Sequence, residues 1–432
     1  MPPDDGKKLP TGRLKRLVRM AGVGARAGAG FVLSKSGVDA AEYAADVLGS
    51  LRGLAAKVGQ TLSYVDGLVP EAQRESYERA LGKLRSAAPH SSASAVRKAI
   101  EEELGAPLER LFASFDSEPF ASASIGQVHR ARLPDGRAVA VKVQHPGIAT
   151  AVESDLKNAG IAEGLVAAFA PKGVDAKAAY DEVAKRFREE LDYELEAQHQ
   201  RDFAAFHAAD PKISIPAVIA ERSARRVLTT ELSEGLSLEQ AALRNEAERR
   251  AWAETLWRFV FKGNLVLGMF NADPHPGNYL FRPDGAVTFL DFGCVQPIAQ
   301  ENLGPARAMH RSAVARDEAA FAEAARVLLG TRGGEYEVHA LAYVRRCFEP
   351  MFGSPFHLSR EYTTSLFTEL REMKKLMWAK DDSFVMLPPS MIFLNRLQFG
   401  FYSVLARLDV RADYAAVERK FLSEAGLLDT RA

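Results

Sequence analysis

Cysteine is nearly missing from this chain: two in 432 residues, Cys294 and Cys347. That argues against a disulfide framework and against a Cys-based zinc site, and fits a reducing compartment. The nine histidines show no HExxH or similar ligand spacing. Net charge is also absent, because 56 Lys and Arg offset 56 Asp and Glu. A chain with no overall basic balance is not expected to bind nucleic acid. No apolar run reaches the roughly 18 residues of a membrane-spanning helix, so none is expected. No repeat or low-complexity segment occurs. What is present is ample core material, with a hydrophobic fraction of 47%.

Charge is biased in one place. Residues 1–35 carry eight basic side chains against Asp4 and Asp5, a net of 8 − 2 = +6. Leu14, Leu17, Val18 and Ala21 recur at helical spacing among them. Such a basic amphipathic helix suits an anionic membrane surface; a solvated tail is the plain alternative. No apolar core follows the charges, which argues against a secretory signal. Asp4, Asp5 and the lack of early serines argue against a transit peptide. The expected location is therefore cytoplasmic, with peripheral membrane contact through residues 1–35.

Residues 13 to about 112 read as helical, with breaks near Gly67–Pro70 and Ala88–His90. The pattern changes at Phe115. Ile125–Leu133, Pro134-Asp135-Gly136 and Ala138–Gln144 read as strand, turn and strand. Helix is expected from about Ile148 to His207 with a break at Pro171–Gly173, short strands at Ile213–Val218 and Arg226–Glu231, then helix from about Ser237 to Leu267. From Gln300 on the chain reads as helical. The expected fold class is α+β. A small strand-rich lobe precedes a large helical lobe, with a helical extension in front. The boundaries are 1–35 for the basic segment, 36–112 for the extension, 113–232 for the first lobe and 233–432 for the second.

The chemistry concentrates in Asp273-Pro-His-Pro-Gly-Asn278, followed thirteen residues later by Asp291-Phe292-Gly293. An acid, an amide and a second acid at this spacing match the catalytic loop and metal-binding motif of phosphoryl-transfer enzymes. Asp273 is the expected catalytic group, and Asn278 and Asp291 are the expected Mg²⁺ ligands. Val287–Leu290 reads as the strand that delivers Asp291. His275 is expected to stabilise its loop by hydrogen bonding rather than to act as a base. Cys294 is expected to pack.

Lys142 lies in Val139-Ala-Val-Lys142-Val, the strand pattern whose lysine contacts nucleotide phosphates. Alternation puts Val139, Val141 and Val143 on one face and Lys142 on the other. An orienting carboxylate is expected among Glu189, Glu190, Asp192, Glu194 and Glu196. On one continuous helix Glu196 lies about 240° round from Glu190, so the two serve different partners.

Together these segments resemble the UbiB/ADCK family of atypical kinase-like proteins, in its coenzyme-Q-associated branch, over nearly the whole chain. Lys57-Val-Gly59-Gln60 is similar to the family's KxGQ motif. Phe120-Ala121-Ser122-Ala123-Ser124-Ile-Gly126 is similar to its Ala-rich nucleotide loop. Glu190-Leu-Asp192-Tyr-Glu-Leu-Glu196 is similar to its ExD motif and Lys-pairing Glu, and Leu228–Leu232, with Glu231, resembles its hinge. The resemblance implies a bilobal protein-kinase-like fold. It implies that Glu196 pairs with Lys142, while Glu190 and Asp192 engage the KxGQ segment that covers the cleft. It implies ATP or ADP and Mg²⁺ as cofactors, with Ala121–Ser124, Lys142 and Glu231 around the nucleotide. The implied activity is an ATPase or small-molecule or lipid kinase in coenzyme Q or prenyl-lipid metabolism, with a prenyl lipid or quinone precursor as partner. Alternatives are a nucleotide-binding pseudokinase scaffold and an aminoglycoside-kinase-like phosphotransferase. Two departures stand out: Ser122 replaces one of the family's alanines, and Asn271 stands where many relatives have His.

Overall fold

The computed structural model describes residues 91–123, 125–157, 176–378 and 400–428. Residues 1–35, Lys57, Gly59, Gln60 and Ser124 lie outside them. Two compact units divide the chain. The first takes the described residues up to position 157 together with those of 176–194 and 219–230; the second takes those of 195–218 and 231 onward.

In the first unit an antiparallel sheet carries the strands Ser114–Phe115, Gly126–Arg132, Ala138–Gln144 and Val227–Glu231 in that order, with Ala121–Ser122 pairing on Gly126–Arg132. The expected Pro-Asp-Gly turn closes the central hairpin. Gly136 sits at φ 89° there, a conformation that costs glycine little. Val139, Val141 and Val143 are buried, as period-2 alternation requires. They pack with Val96, Ile100, Leu108, Leu111 and Phe112 into one apolar cluster. The helix Ala93–Leu104 starts where Ser92 accepts the Ala95 N–H and stops at Gly105, φ 69°.

One expectation fails in this unit. The acidic run is not on a continuous helix. One helix, Ala176–Glu190, ends at Glu190, and a second, Tyr193–His207, begins three residues on. Distant backbone contacts make the break: the Tyr193 N–H donates to the Arg225 carbonyl at 2.9 Å, and Gln144 Nε2 donates to the Leu191 carbonyl at 2.9 Å. Asp192 then caps the new helix by accepting the Glu194 N–H at 3.1 Å. The 240° argument therefore does not apply, because the two glutamates ride on separate helices.

The second unit is built on the helix Glu246–Lys262, whose Trp252, Leu256, Trp257, Phe259 and Val260 are buried. Around it lie the helices Gln300–Ala315, Glu318–Leu329, Gly334–Cys347 and Tyr414–Glu424, with one apolar core shared among them. A π-helical turn, Gly263–Leu267, ends the central helix and Gly268 at φ 74° releases the chain. Short strands follow. Met269–Asn271 pairs antiparallel with Val295–Pro297, and Tyr279–Phe281 pairs with Val287–Phe289. Ile213–Ser214 adds in parallel beside the latter, shorter than the expected Ile213–Val218.

Candidate active site

The described residues among those singled out by the sequence fall into two groups, one in each unit. In the second unit the two short strand pairs bring the catalytic stretch together. Met269–Asn271 enters the loop and Val295–Pro297 leaves the Asp291 motif, and their pairing aligns Asn271 with Val295. The Ala272 N–H donates to the Cys294 carbonyl at 2.9 Å, and the Leu290 N–H to the Asn278 carbonyl at 3.0 Å.

Side chains complete the fastening. Asn271 donates through Nδ2 to the Asp291 carbonyl at 2.5 Å, and its Oδ1 accepts the Asp273 N–H at 3.2 Å. One amide thus ties the loop to the Asp291 motif, which is how the departure from histidine is accommodated. Asn278 Nδ2 donates to the Asp273 carbonyl at 3.0 Å and to its carboxylate at 3.3 Å. Asp291 Oδ1 accepts the Gly293 N–H at 2.9 Å. His275 uses Nδ1 to accept the Gly277 N–H at 3.1 Å, the loop-stabilising contact expected of it. Burial and the neighbouring Asp273 charge push the Tyr279 phenol far up, so it stays protonated beneath the loop.

Asp273, Asn278 and Asp291 are all half-buried. Phe292, next to Asp291, is fully buried and packs on Phe203 at 5.3 Å between centroids. That contact anchors the Asp291 motif on the helix Tyr193–His207. The same helix carries Glu196, which is 4% exposed. A side chain on Gly293 would have its Cβ 3.3 Å from Glu196 Oε2 and 3.3 Å from Asp291 Oδ1, so glycine lets these two carboxylates approach.

These donors fit Mg²⁺. The Asn278 amide nitrogen is turned to Asp273, which leaves its oxygen as a hard donor, and Asp291 supplies a carboxylate. Among the described residues no group of three or more His, Cys, Asp or Glu stands ready to hold a metal alone. Magnesium takes few protein oxygens and fills its octahedron with phosphate and water, so two such ligands suit it.

Sequence reasoning expected helix here but missed one contact. The segment 400–408 is helical, and its first residue, Gly400, lies against the catalytic loop. A Cβ on Gly400 would stand 2.3 Å from Pro274 Cγ. An isolated glycine in a helical pattern hints at close packing but names no partner.

In the first unit the Ala-rich segment is a tight hairpin. Ala121 and Ser122 pair with Val128 and Gln127, and the Ala123 N–H donates to the Gly126 carbonyl at 2.9 Å. Ala121 and Ser122 are exposed and Ala123 is half-buried. Lys142 is half-buried on the polar face of its strand, with Nζ 5.0 Å from the centre of the Tyr193 ring. Glu190 closes its helix half-buried, and Asp192 lies 4.0 Å from Arg225 Nε. Glu231 belongs to the second unit. It is exposed, and its N–H donates to the Ala217 carbonyl at 2.9 Å.

The model of the ABC1 atypical kinase-like domain matches residues 83–325, more than half of the chain. The chain belongs to this family. Among its relatives, rat "Atypical kinase COQ8B, mitochondrial" is 28% identical over 422 residues, covering 93% of this chain and 79% of the relative. Yeast "Atypical kinase COQ8, mitochondrial" is 29% identical over 329 residues, covering 72% of this chain and 64% of the relative. A solved structure, the Mycobacterium tuberculosis Rv3197–erythromycin complex, superposes with a TM-score of 0.60 at 30% identity, covering 87% of this chain and 94% of that one. These findings bear out the family resemblance and the kinase-like α+β fold. No helix among the described residues of this family member is long and apolar enough to cross a membrane.

Proposed function

We propose that this ABC1-family chain binds ATP or ADP with Mg²⁺ and turns the nucleotide over, as an ATPase or as a small-molecule or lipid kinase. One observation carries the reading: Asn271, Asp273, Asn278 and Asp291 are bonded into one loop, with the Asn278 amide nitrogen already turned to Asp273. Bound Mg²⁺ would supply positive charge to the phosphates. Asn278 and Asp291 hold that ion. Asp273, oriented by Asn278, accepts the proton of an attacking water or hydroxyl. Lys142 contacts the phosphates, and Glu196 is its carboxylate. Ala121–Ser124 lie beside the nucleotide, with Glu231 on the hinge side. Lys57, Gly59 and Gln60, with Glu190 and Asp192, cover the cleft, which disfavours a peptide acceptor.

Relatives named COQ8 prompt the reading of the acceptor side. A prenyl lipid or quinone precursor in coenzyme Q metabolism is the proposed ligand, reached from a membrane surface through the basic residues 1–35. A cytoplasmic location belongs to the same proposal, beside relatives described as mitochondrial.

Phosphate release measured with and without anionic liposomes tests turnover. Asp273→Asn keeps the oxygen that Asn278 bonds but cannot take a proton. Its turnover is expected to fall by about 10²-fold or more, in line with the worth of a positioned base. Equal release in both proteins would leave a nucleotide-binding scaffold. A second variant reports on loop placement. Gly400→Ala forces Pro274 aside and is expected to lower the turnover rate about tenfold or more with little change in nucleotide affinity, because small misplacements of catalytic groups cost rate. Unchanged turnover in Gly400→Ala would show that the 400–408 helix does not set the loop.

A further inference from the structure

We propose that Tyr193 is the positioning residue for Lys142, holding the ammonium group over its ring face so that it meets the phosphates at a fixed point. The inference rests on the nucleotide reading above, which gives Lys142 its phosphates. Its own evidence lies within the first unit. Tyr193 is 1% exposed, and Lys142 Nζ stands 5.0 Å from its ring centre, inside cation–π range.

The ring is held from two sides. Gln144, two residues beyond Lys142 on the same strand, is 3% exposed. Its Nε2 donates to the Leu191 carbonyl at 2.9 Å and the Arg225 carbonyl at 3.3 Å. The Tyr193 N–H donates to that same Arg225 carbonyl. The strand that bears the lysine therefore also fixes the backbone of the tyrosine. On the other side Gly126, at the end of the Ala-rich hairpin, leaves room: a Cβ there would stand 2.9 Å from the Tyr193 hydroxyl and 2.3 Å from the Val143 carbonyl oxygen. Any side chain at 126 would displace either the ring or the lysine strand.

The chemistry explains the choice of an aromatic. A lysine stem has four rotatable carbons and finds no fixed geometry by itself. A carboxylate, the role proposed for Glu196, orients it but offsets part of its charge. A ring quadrupole attracts the ammonium and cancels none.

The test replaces Tyr193 by phenylalanine and then by phenylalanines carrying progressively more ring fluorine, which drain the quadrupole at nearly constant shape. MgADP affinity is measured by titration, and Lys142 acylation by acetic anhydride is followed against Lys262 as internal reference. Tyr193→Phe should stay within about twofold. Full fluorination should weaken MgADP binding about tenfold and raise Lys142 acylation in step. A purely structural tyrosine predicts a flat series, which overturns the inference. Lys142→Met separates the two levels. If it leaves MgADP binding unchanged, the phosphate role of Lys142 is wrong. If it weakens binding while the fluorine series stays flat, only the role of Tyr193 is wrong.

Discussion

Asp291→Asn is expected to abolish the Mg²⁺-dependent part of nucleotide stabilisation while leaving the protein folded. The fold should survive because the contact of the Asp291 side chain with the Gly293 N–H needs only an acceptor. Oδ1 takes the Gly293 N–H, and an asparagine oxygen can take it equally. What the amide lacks is the negative charge that a hard cation requires. The environment sharpens the contrast. Asp291 Oδ1 and Glu196 Oε2 both lie 3.3 Å from the point where a Gly293 Cβ would stand. Asparagine has the size of aspartate and keeps the acceptor for Gly293, so the melting temperature without ligand is expected to stay near that of the parent protein. A ligand at 100 times its dissociation constant stabilises by about 2.7 kcal/mol. Thermal melts with MgADP should show that gain in the parent protein and lose it in Asp291→Asn. ADP with chelator serves as the control in both. An equal MgADP shift in the variant would remove Asp291 from the metal site.

The sequence was most legible where the site is local. Asn271 to Gly293 spans 23 residues, and its side-chain fastening runs between positions at most 20 apart. Residue spacing alone therefore reported the geometry. Lys142 was legible because alternation survives in the strand Ala138–Gln144, where one face is buried in full. The Pro-Asp-Gly turn carried its own chemistry. What failed was set by distant partners. Nothing in Glu190-Leu-Asp-Tyr193 breaks a helix by composition. The break comes from a glutamine 47 positions away and from the Arg225 carbonyl. The short strands Met269–Asn271 and Val295–Pro297 are three residues each and exist through pairing with one another, beneath any periodic signal. Gly400 and Tyr193 matter for what lies against them, Pro274 in one case and Lys142 and Gly126 in the other.

The largest stability effect is expected far from this loop, at Glu418. This carboxyl is completely buried in the core of the second unit. Its Oε1 accepts from Trp257 Nε1 at 2.9 Å, and its Oε2 lies 2.7 Å from His310 Nδ1. The three residues come from three helices, Glu246–Lys262, Gln300–Ala315 and Tyr414–Glu424, and are separated by 161 and 108 positions in the chain. Burying a polar trio has no net advantage over a well-packed apolar one; opening it from one side is what costs. Glu418→Ala strands the indole and imidazole nitrogens in a dry core and leaves a cavity, and is expected to cost about 3–5 kcal/mol. Glu418→Gln keeps the acceptor for Trp257 and should cost about 1 kcal/mol. Replacing Glu418 and His310 together by leucine should recover only part of the alanine loss, since the imidazole is gone but the Trp257 N–H still lacks its acceptor. Urea titration followed by tryptophan emission reads all of this directly, because all three tryptophans lie in the second unit and Trp257 is itself a partner. An alanine variant within about 1 kcal/mol of the parent would mean that water or a shifted side chain satisfies both nitrogens, and the helix Tyr414–Glu424 would then be held by its apolar face alone.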